Sequence, residues 1–213
     1  MRKKRRLTRR RRALRTLAVL VFLTLYAVLP GRYYFLPSQA IQAAERWGNM
    51  GPTGLVYEFS EEGRTLRGND RGLMVCTLQN VMAHRGWGAE YCAFLDCTKT
   101  ASFHVGVCRS RRGINWYGRI DDPAATAVRL EFYRFNLGKE TLEESFTIER
   151  EDWLRQDDHL YFALEFEKNV WEWHPLYRAH SELLDGEGNV IDSRDISFYG
   201  FDTLGLGGEV LYQ

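Results

Sequence analysis

The sequence predicts a mainly β protein in which an N-terminal transmembrane helix and a short stalk helix precede an antiparallel β-sandwich-like domain. A basic segment that runs directly into an uncharged apolar one predicts the first helix. After Pro52, short apolar runs alternate with clusters of Gly, Asn and Asp, a pattern typical of strands joined by turns. No helix of crossover length is indicated beyond residue 50, so neighbouring strands should pair antiparallel.

The composition favours one globular domain with a short appendage. The 213 residues are 45% hydrophobic and 27% charged, which excludes a wholly disordered chain. The net charge of +1 conceals a division of charge along the chain. Residues 1–32 carry 11 of the 29 Lys and Arg and no acid, whereas residues 33–213 carry 18 bases against 28 acids. This asymmetry indicates that the two parts lie in different surroundings.

Residues 1–16 form the predicted cytoplasmic tail, in which ten bases lie between Arg2 and Arg15. An apolar segment directly behind such a run favours contact with anionic lipid headgroups over binding to nucleic-acid phosphates. We therefore expect no nucleic-acid partner. The candidate lipid contacts are Arg9, Arg10, Arg11, Arg12 and Arg15.

Residues 17–36 are the predicted transmembrane signal anchor, which would lie in the lipid bilayer. The uncharged run Leu17–Leu29 rises only about 20 Å as a helix, less than the roughly 30 Å hydrocarbon core. A secretory signal peptide cut after Ser38-Gln39-Ala40 therefore stays an alternative, although that site is far from the apolar run. Basic flanks remain cytoplasmic, so we expect a single-pass protein of the cell membrane with residues 37–213 on the extracytoplasmic side.

A stalk helix is predicted within residues 37–48. Ser38 is a candidate N-cap, good helix formers follow it, and Gly48 ends the run, so the helix itself should cover residues 39–47. One apolar face of this helix would pack on the domain beyond it, and that face consists of Ile41, Ala44 and Trp47.

The extracytoplasmic β domain is predicted over residues 49–203, with a C-terminal tail over residues 204–213. Thr77–Arg85 fits either a helical turn or a continued strand. Ten apolar runs between turn-forming residues are predicted strands: Leu55–Phe59, Thr65–Arg67, Leu73–Leu78, Tyr91–Leu95, Ser102–Cys108, Ile114–Ile120, Ala127–Phe135, Ser145–Ile148, His159–Glu167 and Val190–Ile196. Two of them have a single apolar face, as the halves of a sandwich do: Leu160, Phe162, Leu164 and Phe166 in one, and Val128, Leu130 and Phe132 in the other.

The order of basic tail, apolar span, short helix and strands resembles that of small membrane-anchored extracytoplasmic proteins of Gram-positive bacteria. In addition, the segment LDGEGNVI at residues 184–191 resembles the penultimate hairpin of immunoglobulin-like sandwiches, where a D-x-x-G-N-V turn joins two strands. The resemblance implies a location and a fold class. It implies no activity and no catalytic residue.

Four cysteines form the most informative cluster of the sequence, because they lie within 33 residues of one another. Outside the membrane an even number favours disulfides, which here could pair in three ways. A metal site that adds His104 to the thiolates is a weaker interpretation, since no C-x2-C pair is present. Reduced thiols buried in the core are the third interpretation. The four are Cys76, Cys92, Cys97 and Cys108.

Trp171, Trp173 and His174 could form an exposed aromatic ridge for a carbohydrate or peptide ligand. A Trp pair two residues apart is more often one strand face packed inward, so core packing is favoured here.

The sequence contains no G-x-S-x-G, S-x-x-K or H-E-x-x-H motif, so acyl transfer and metalloprotease chemistry have no support. We therefore expect a binding or scaffolding module for a protein or glycan ligand rather than an enzyme, with no cofactor and no resident metal. The alternatives are an extracytoplasmic hydrolase that uses dispersed carboxylates, such as Asp157, Asp158 or Glu172, and a signalling subunit that acts through its basic tail.

Overall fold

The computed structural model describes residues 2–28, 34, 36–81, 86–109, 113–136, 139–167 and 177–197. In this part, the chain forms two α-helices, twelve strands and a 3₁₀ turn at Arg150–Asp152. The helices are α1 (Arg2–Val28) and α2 (Pro37–Trp47). The strands are β1 (Gly54–Glu58), β2 (Arg64–Asn69), β3 (Gly72–Val81), β4 (Gly86–Asp96), β5 (Phe103–Arg109), β6 (Gly113–Ile120), β7 (Ala127–Asn136), β8 (Lys139–Glu149), β9 (Leu154–Gln156), β10 (His159–Glu167), β11 (Tyr177–Leu184) and β12 (Val190–Ser197).

The strands form three four-stranded sheets in which the neighbours pair antiparallel. The helix-side sheet is a meander in the order β1-β2-β3-β4. The central sheet has the order β5-β6-β10-β9. The outer sheet has the order β12-β11-β7-β8. The predicted fold class, mainly β with antiparallel pairing, is therefore confirmed.

The central sheet is covered on both faces, and all eight residues of β6 are buried. Because side chains alternate along a strand, β6 contributes to two different cores. Trp116 packs into the core shared with the outer sheet, while Tyr117 packs into the core shared with the helix-side sheet. The stack therefore has one more layer than the two-sheet sandwich that the sequence suggests.

The core between the central and outer sheets joins the two apolar faces that the sequence pattern predicts. Phe162 of β10 and Phe132 of β7 are both fully buried in this core. The indole of Trp116 meets the ring of Phe132 edge-on, with centroids 6.3 Å apart. These two sheets form the sandwich-like part of the domain.

Helix α2 covers the face of the helix-side sheet that points away from the central sheet. Its buried Ala44 packs with Met74 and Cys76 of β3. The helix begins two residues before the predicted position, because Pro37 has the fixed φ that suits a first turn. Trp47 remains 70% exposed, and its ring meets that of Phe94 edge-on at a centroid distance of 5.4 Å.

Two strands of the structure, β9 and β11, have no counterpart among the predicted ones. The inward residues of β11 are Ala179, Ser181 and Leu183. Because Ala179 is small and Ser181 is polar, the alternation of apolar residues is not visible in the sequence. The stretch after Thr77 continues as strand β3 to Val81, and residues 82–85 lie outside the described residues.

Helix α1 contains both the basic tail and the start of the predicted anchor. Among the residues that the structure describes, no helix is long and apolar enough to cross a membrane. Residues 29–33 and 35 of the predicted span 17–36 lie outside the described part, as does the predicted tail 204–213.

Candidate functional site

The first polar cluster is the Arg119 junction, where an end of the central sheet meets turns of the helix-side sheet. Arg119, only 5% exposed, lies near the end of β6. Its Nη2 donates to the backbone oxygen of Cys97 at 2.8 Å, and its Nη1 donates to that of Asp70 at 3.0 Å. The carboxylate of Asp121 accepts from Nε and Nη2 at 3.1 and 2.9 Å. One guanidinium thus ties together three segments that are distant in sequence.

His104 lies beside this carboxylate and is 8% exposed. Its Nε2 is 3.4 Å from Asp121 Oδ2, close enough for an ion pair but without hydrogen-bond geometry. Burial lowers the pKa of His104, and the nearby charge of Arg119 lowers it further. Because these effects exceed the opposing pull of Asp121, the imidazole is neutral at pH 7.

The turn between β9 and β10 borders the junction. His159 Nε2 is 3.0 Å from Asp70 Oδ1. Asp157 and Asp158 are exposed, and Asp157 has a positive φ of 51°, as fits a tight turn. These two carboxylates, which the sequence suggested for a hydrolase, therefore lie in a solvated turn. Their third suggested partner, Glu172, lies outside the described residues.

The Arg119 junction contains the side chains of an acid–base site but no activated nucleophile. Burial raises the pKa of Cys97 to about 12 and that of Tyr161 to about 12, so both stay protonated at pH 7. The arrangement suits a structural connection between two sheets better than nucleophilic catalysis.

The four cysteines are buried, lie on both faces of the helix-side sheet, and are not bonded to one another in this structure. Cys76 and Cys92 pack under α2, whereas Cys97 and Cys108 face the central sheet. Burial raises the pKa of each thiol, which disfavours the thiolate that a metal requires. In the described part of the chain, no group of three or more His, Cys, Asp or Glu residues could hold a metal ion.

Cys108 has a specific partner that the sequence does not reveal. The Nη2 of Arg64 approaches its sulfur at 3.1 Å, and Nη1 of the same guanidinium pairs with Glu61 at 3.1 Å. Arg64 is almost completely buried, so Glu61 supplies the countercharge that a buried cation needs.

The second polar cluster is the exposed side of the outer sheet, which we call the outer-sheet face. Its side chains lie opposite one another on neighbouring strands and form a connected series of ion pairs. Arg178 donates to both oxygens of Glu140, at 2.7 and 3.0 Å, and to Asp195 at 2.5 Å. The face consists of Arg129, Glu131, Tyr133, Glu140, Arg178, His180, Glu182 and Asp195.

His180 connects the two halves of this face. Its Nδ1 is 2.7 Å from Asp195 Oδ1, and its Nε2 is 3.3 Å from Glu182 Oε1. Glu182 in turn pairs with Arg129 at 2.9 Å. The hydrogen bond from His180 and the charge of Arg178 together outweigh burial and lower the pKa of Asp195.

Sequence reasoning missed the outer-sheet face, although a signal was present. The alternate positions Arg178, His180 and Glu182 are polar, as are Arg129 and Glu131 on the neighbouring strand. Alternate polar residues on a strand indicate that one of its sides faces solvent. Only the pairing of β11 with β7 shows that opposite charges on the two strands lie next to each other.

The other predicted contact residues divide in two groups. The aromatic candidates Trp171, Trp173 and His174 lie in the connection between β10 and β11, outside the described residues. The predicted lipid contacts Arg9, Arg10, Arg11, Arg12 and Arg15 are exposed on α1.

Comparison with known proteins adds no assignment. No family model matches the chain, and no match was found to a curated protein or to a solved structure.

Proposed function

We propose that the chain is a single-pass membrane protein whose β domain binds a protein partner outside the membrane through the outer-sheet face. The basic part of α1 would stay on the cytoplasmic side and the apolar part would lie in the bilayer. The observation that carries this proposal is the division of α1 into these two parts.

The apolar part of α1 is exposed on every side. Large side chains from Leu17 to Leu23 are between 50% and 68% exposed. Successive residues of a helix are rotated by about 100°, so this run covers the whole circumference. Exposure of this apolar surface to water is unfavourable, because burying it would lower the free energy. A lipid environment covers the helix on all sides.

The basic part of α1 supports the same arrangement. Arg9 to Arg12 and Arg15 are exposed just before the apolar part. Near an anionic leaflet each such charge contributes about 1 kcal/mol of attraction, and clustered bases favour the cytoplasmic side. The described apolar residues Leu17–Val28 rise about 18 Å, so a complete span also requires residues 29–36.

Labelling from outside intact cells tests the topology. The native cysteines are buried, so a cysteine introduced by Glu187→Cys in the exposed β11–β12 turn gives a distinct signal. We expect a membrane-impermeant maleimide to label this variant in intact cells. The matched control, Arg9→Cys, should be labelled only after permeabilisation. If Glu187→Cys also required permeabilisation, the proposed topology would be wrong.

The outer-sheet face supports binding of a protein in particular. It presents Arg178 over the ring of Tyr133, at 4.8 Å from its centroid, and both residue types are enriched at protein interfaces. Its ion pairs hold the charged groups in fixed positions before a partner arrives, which reduces the entropy lost on binding.

Photo-cross-linking tests this face, with a photoreactive amino acid introduced in place of Thr147. Thr147 of β8 lies opposite Arg129 and is exposed, so it borders the proposed interface. We expect a cross-linked protein adduct from position 147 in intact cells, and its loss in the Arg129→Glu variant. The control position is Glu62, in the exposed β1–β2 turn. Equal adducts from both positions, or an adduct that survives Arg129→Glu, would contradict binding at this face.

A further inference from the structure

We propose that Cys76 and Cys92 form a disulfide bond while Cys97 and Cys108 remain reduced. This inference concerns the fold rather than the proposed binding function, and it selects one bond from the pairings that the sequence leaves open.

The strand register brings Cys76 and Cys92 together. Val75 pairs with Ala93 and Thr77 pairs with Glu90, so a bulge lies between these two pairs. In the bulge, the single residue Cys76 of β3 lies opposite Tyr91 and Cys92 of β4. Side chains opposite each other across antiparallel strands have Cβ atoms about 4.5–5.5 Å apart, close to the separation that a disulfide requires.

The two thiols also lie on the same face of the sheet. Both belong to the buried cluster under α2, with Ala44 and Met50. The electrostatic influence of Cys76 contributes to the raised pKa of Cys92, as expected for neighbouring sulfurs. Geometry and environment thus agree on this pair.

Cys97 and Cys108 face the same core but lie at opposite ends of it. The backbone N–H of Cys97 bonds to Arg71, at the start of β3. Cys108 contacts Arg64, which pairs with Thr77 near the other end of β3. Six residues of strand separate Arg71 from Thr77, about 20 Å, whereas a disulfide requires Cα atoms within about 7 Å.

The remaining pairings would have to cross the helix-side sheet. Cys76 and Cys92 point toward α2, whereas Cys97 and Cys108 point toward the central sheet. A bond between the two groups would therefore need one strand to turn over, which reverses the face of all its side chains.

Formation of the bond needs an oxidant, which we take to be a disulfide of low molecular weight or of a thiol oxidoreductase. One cysteine thiolate attacks a sulfur of that disulfide and expels a thiolate. The second cysteine then attacks the mixed disulfide and releases the other half of the oxidant. The two protons of Cys76 and Cys92 end on the two thiols of the reduced oxidant. Because α2 covers both sulfurs, this exchange occurs during folding or when α2 moves away.

Refolding in a glutathione redox buffer tests the inference. The full chain is reduced, unfolded in urea, refolded in detergent with oxidised and reduced glutathione, alkylated and digested with trypsin. We expect one disulfide between peptides 72–85 and 86–99, with Cys97 and Cys108 alkylated. Fragmentation of the linked pair distinguishes Cys92 from Cys97.

Two variants control the assignment. The Cys97→Ser, Cys108→Ser double variant should form the same bond, and its melting temperature should rise by several degrees on oxidation. In the Cys76→Ala, Cys92→Ala variant we expect both remaining thiols to be alkylated. Four alkylated cysteines in the wild-type chain, or a bond that joins any other pair, would overturn the inference.

Discussion

Arg119 donates a hydrogen bond of 2.8 Å to the backbone oxygen of Cys97, and this contact joins the central sheet to the end of β4. The same guanidinium reaches the backbone oxygen of Asp70, in the turn between β2 and β3. Two loops of the helix-side sheet are therefore held by one side chain that the central sheet provides. The countercharge, Asp121, lies two residues further along the chain.

The Arg119→Met variant should be destabilised by about 3 kcal/mol. The substitution keeps the apolar part of the side chain but leaves two backbone oxygens and the carboxylate of Asp121 without their donor. Urea unfolding followed by tryptophan fluorescence measures the change. The control is Arg155→Met on the exposed side of β9, for which we expect less than about 0.5 kcal/mol. Similar losses in the two variants would show that Arg119 does not hold the sheets together.

Gly118→Ala should destabilise the domain by about 3 kcal/mol, because β6 has neighbours on both faces. A Cβ at this position would overlap the backbone oxygen of His104 and the ring of Phe162. The matched control is Gly186→Ala in the β11–β12 turn, where the nearest atom to the new Cβ would be Thr126 Cγ2 at 3.7 Å. Denaturation midpoints of the two variants measure the difference. A tolerated Gly118→Ala would contradict the close packing around β6.

The two-sided burial of β6 also shows where sequence patterns lose information. The alternating apolar residues of β7 and β10 predict the side chains that face the core between the central and outer sheets, although β10 also places Tyr161 in the other core. In β6, Asn115 and Arg119 are polar and yet buried, so its period resembles that of a strand with a solvated face. Alternation identifies which side chains share a face, but it does not reveal how many sheets are stacked.

The candidate site was predictable only in part, for a related reason. His104 and Cys97 stand out in the sequence because of their chemistry, and both lie at the Arg119 junction. The connection itself depends on backbone oxygens that lie about 20 and 50 residues away from Arg119. Every residue has a backbone oxygen whatever its side chain, so the sequence does not show which of them Arg119 binds.

The ion pairs of the outer-sheet face should contribute little to stability and should depend on salt. Arg178 is about one-third exposed, so solvent screens its pairs with Glu140 and Asp195. We expect Arg178→Met to lower the free energy of unfolding by about 1 kcal/mol at low ionic strength and by less in 0.5 M NaCl. Urea titrations at both salt concentrations check this. A loss that is the same in high salt would show that Arg178 acts by packing on Tyr133 instead.

His104 should make the domain less stable as the pH falls from 7.5 to 5.0. Burial lowers the pKa of this imidazole in the folded state, whereas in the unfolded chain it binds a proton near its ordinary pKa of about 6.5. Below that pH the unfolded state takes up a proton that the folded state excludes, so stability decreases until the folded state is protonated as well. Asp96, Asp185 and Asp195, whose pKa values are lowered, lose their contributions only near pH 4 and below.

The His104→Gln variant isolates this effect, because Gln is of similar size and does not titrate between these pH values. We expect the free energy of unfolding to fall less between pH 7.5 and 5.0 in the variant than in the wild type, as measured by urea unfolding at each pH. At pH 7.5 both proteins should give the same circular dichroism spectrum. An equal decrease in both would show that burial and Arg119 do not lower the pKa of His104 in the folded state, and a smaller decrease in the wild type would show that Asp121 dominates its environment.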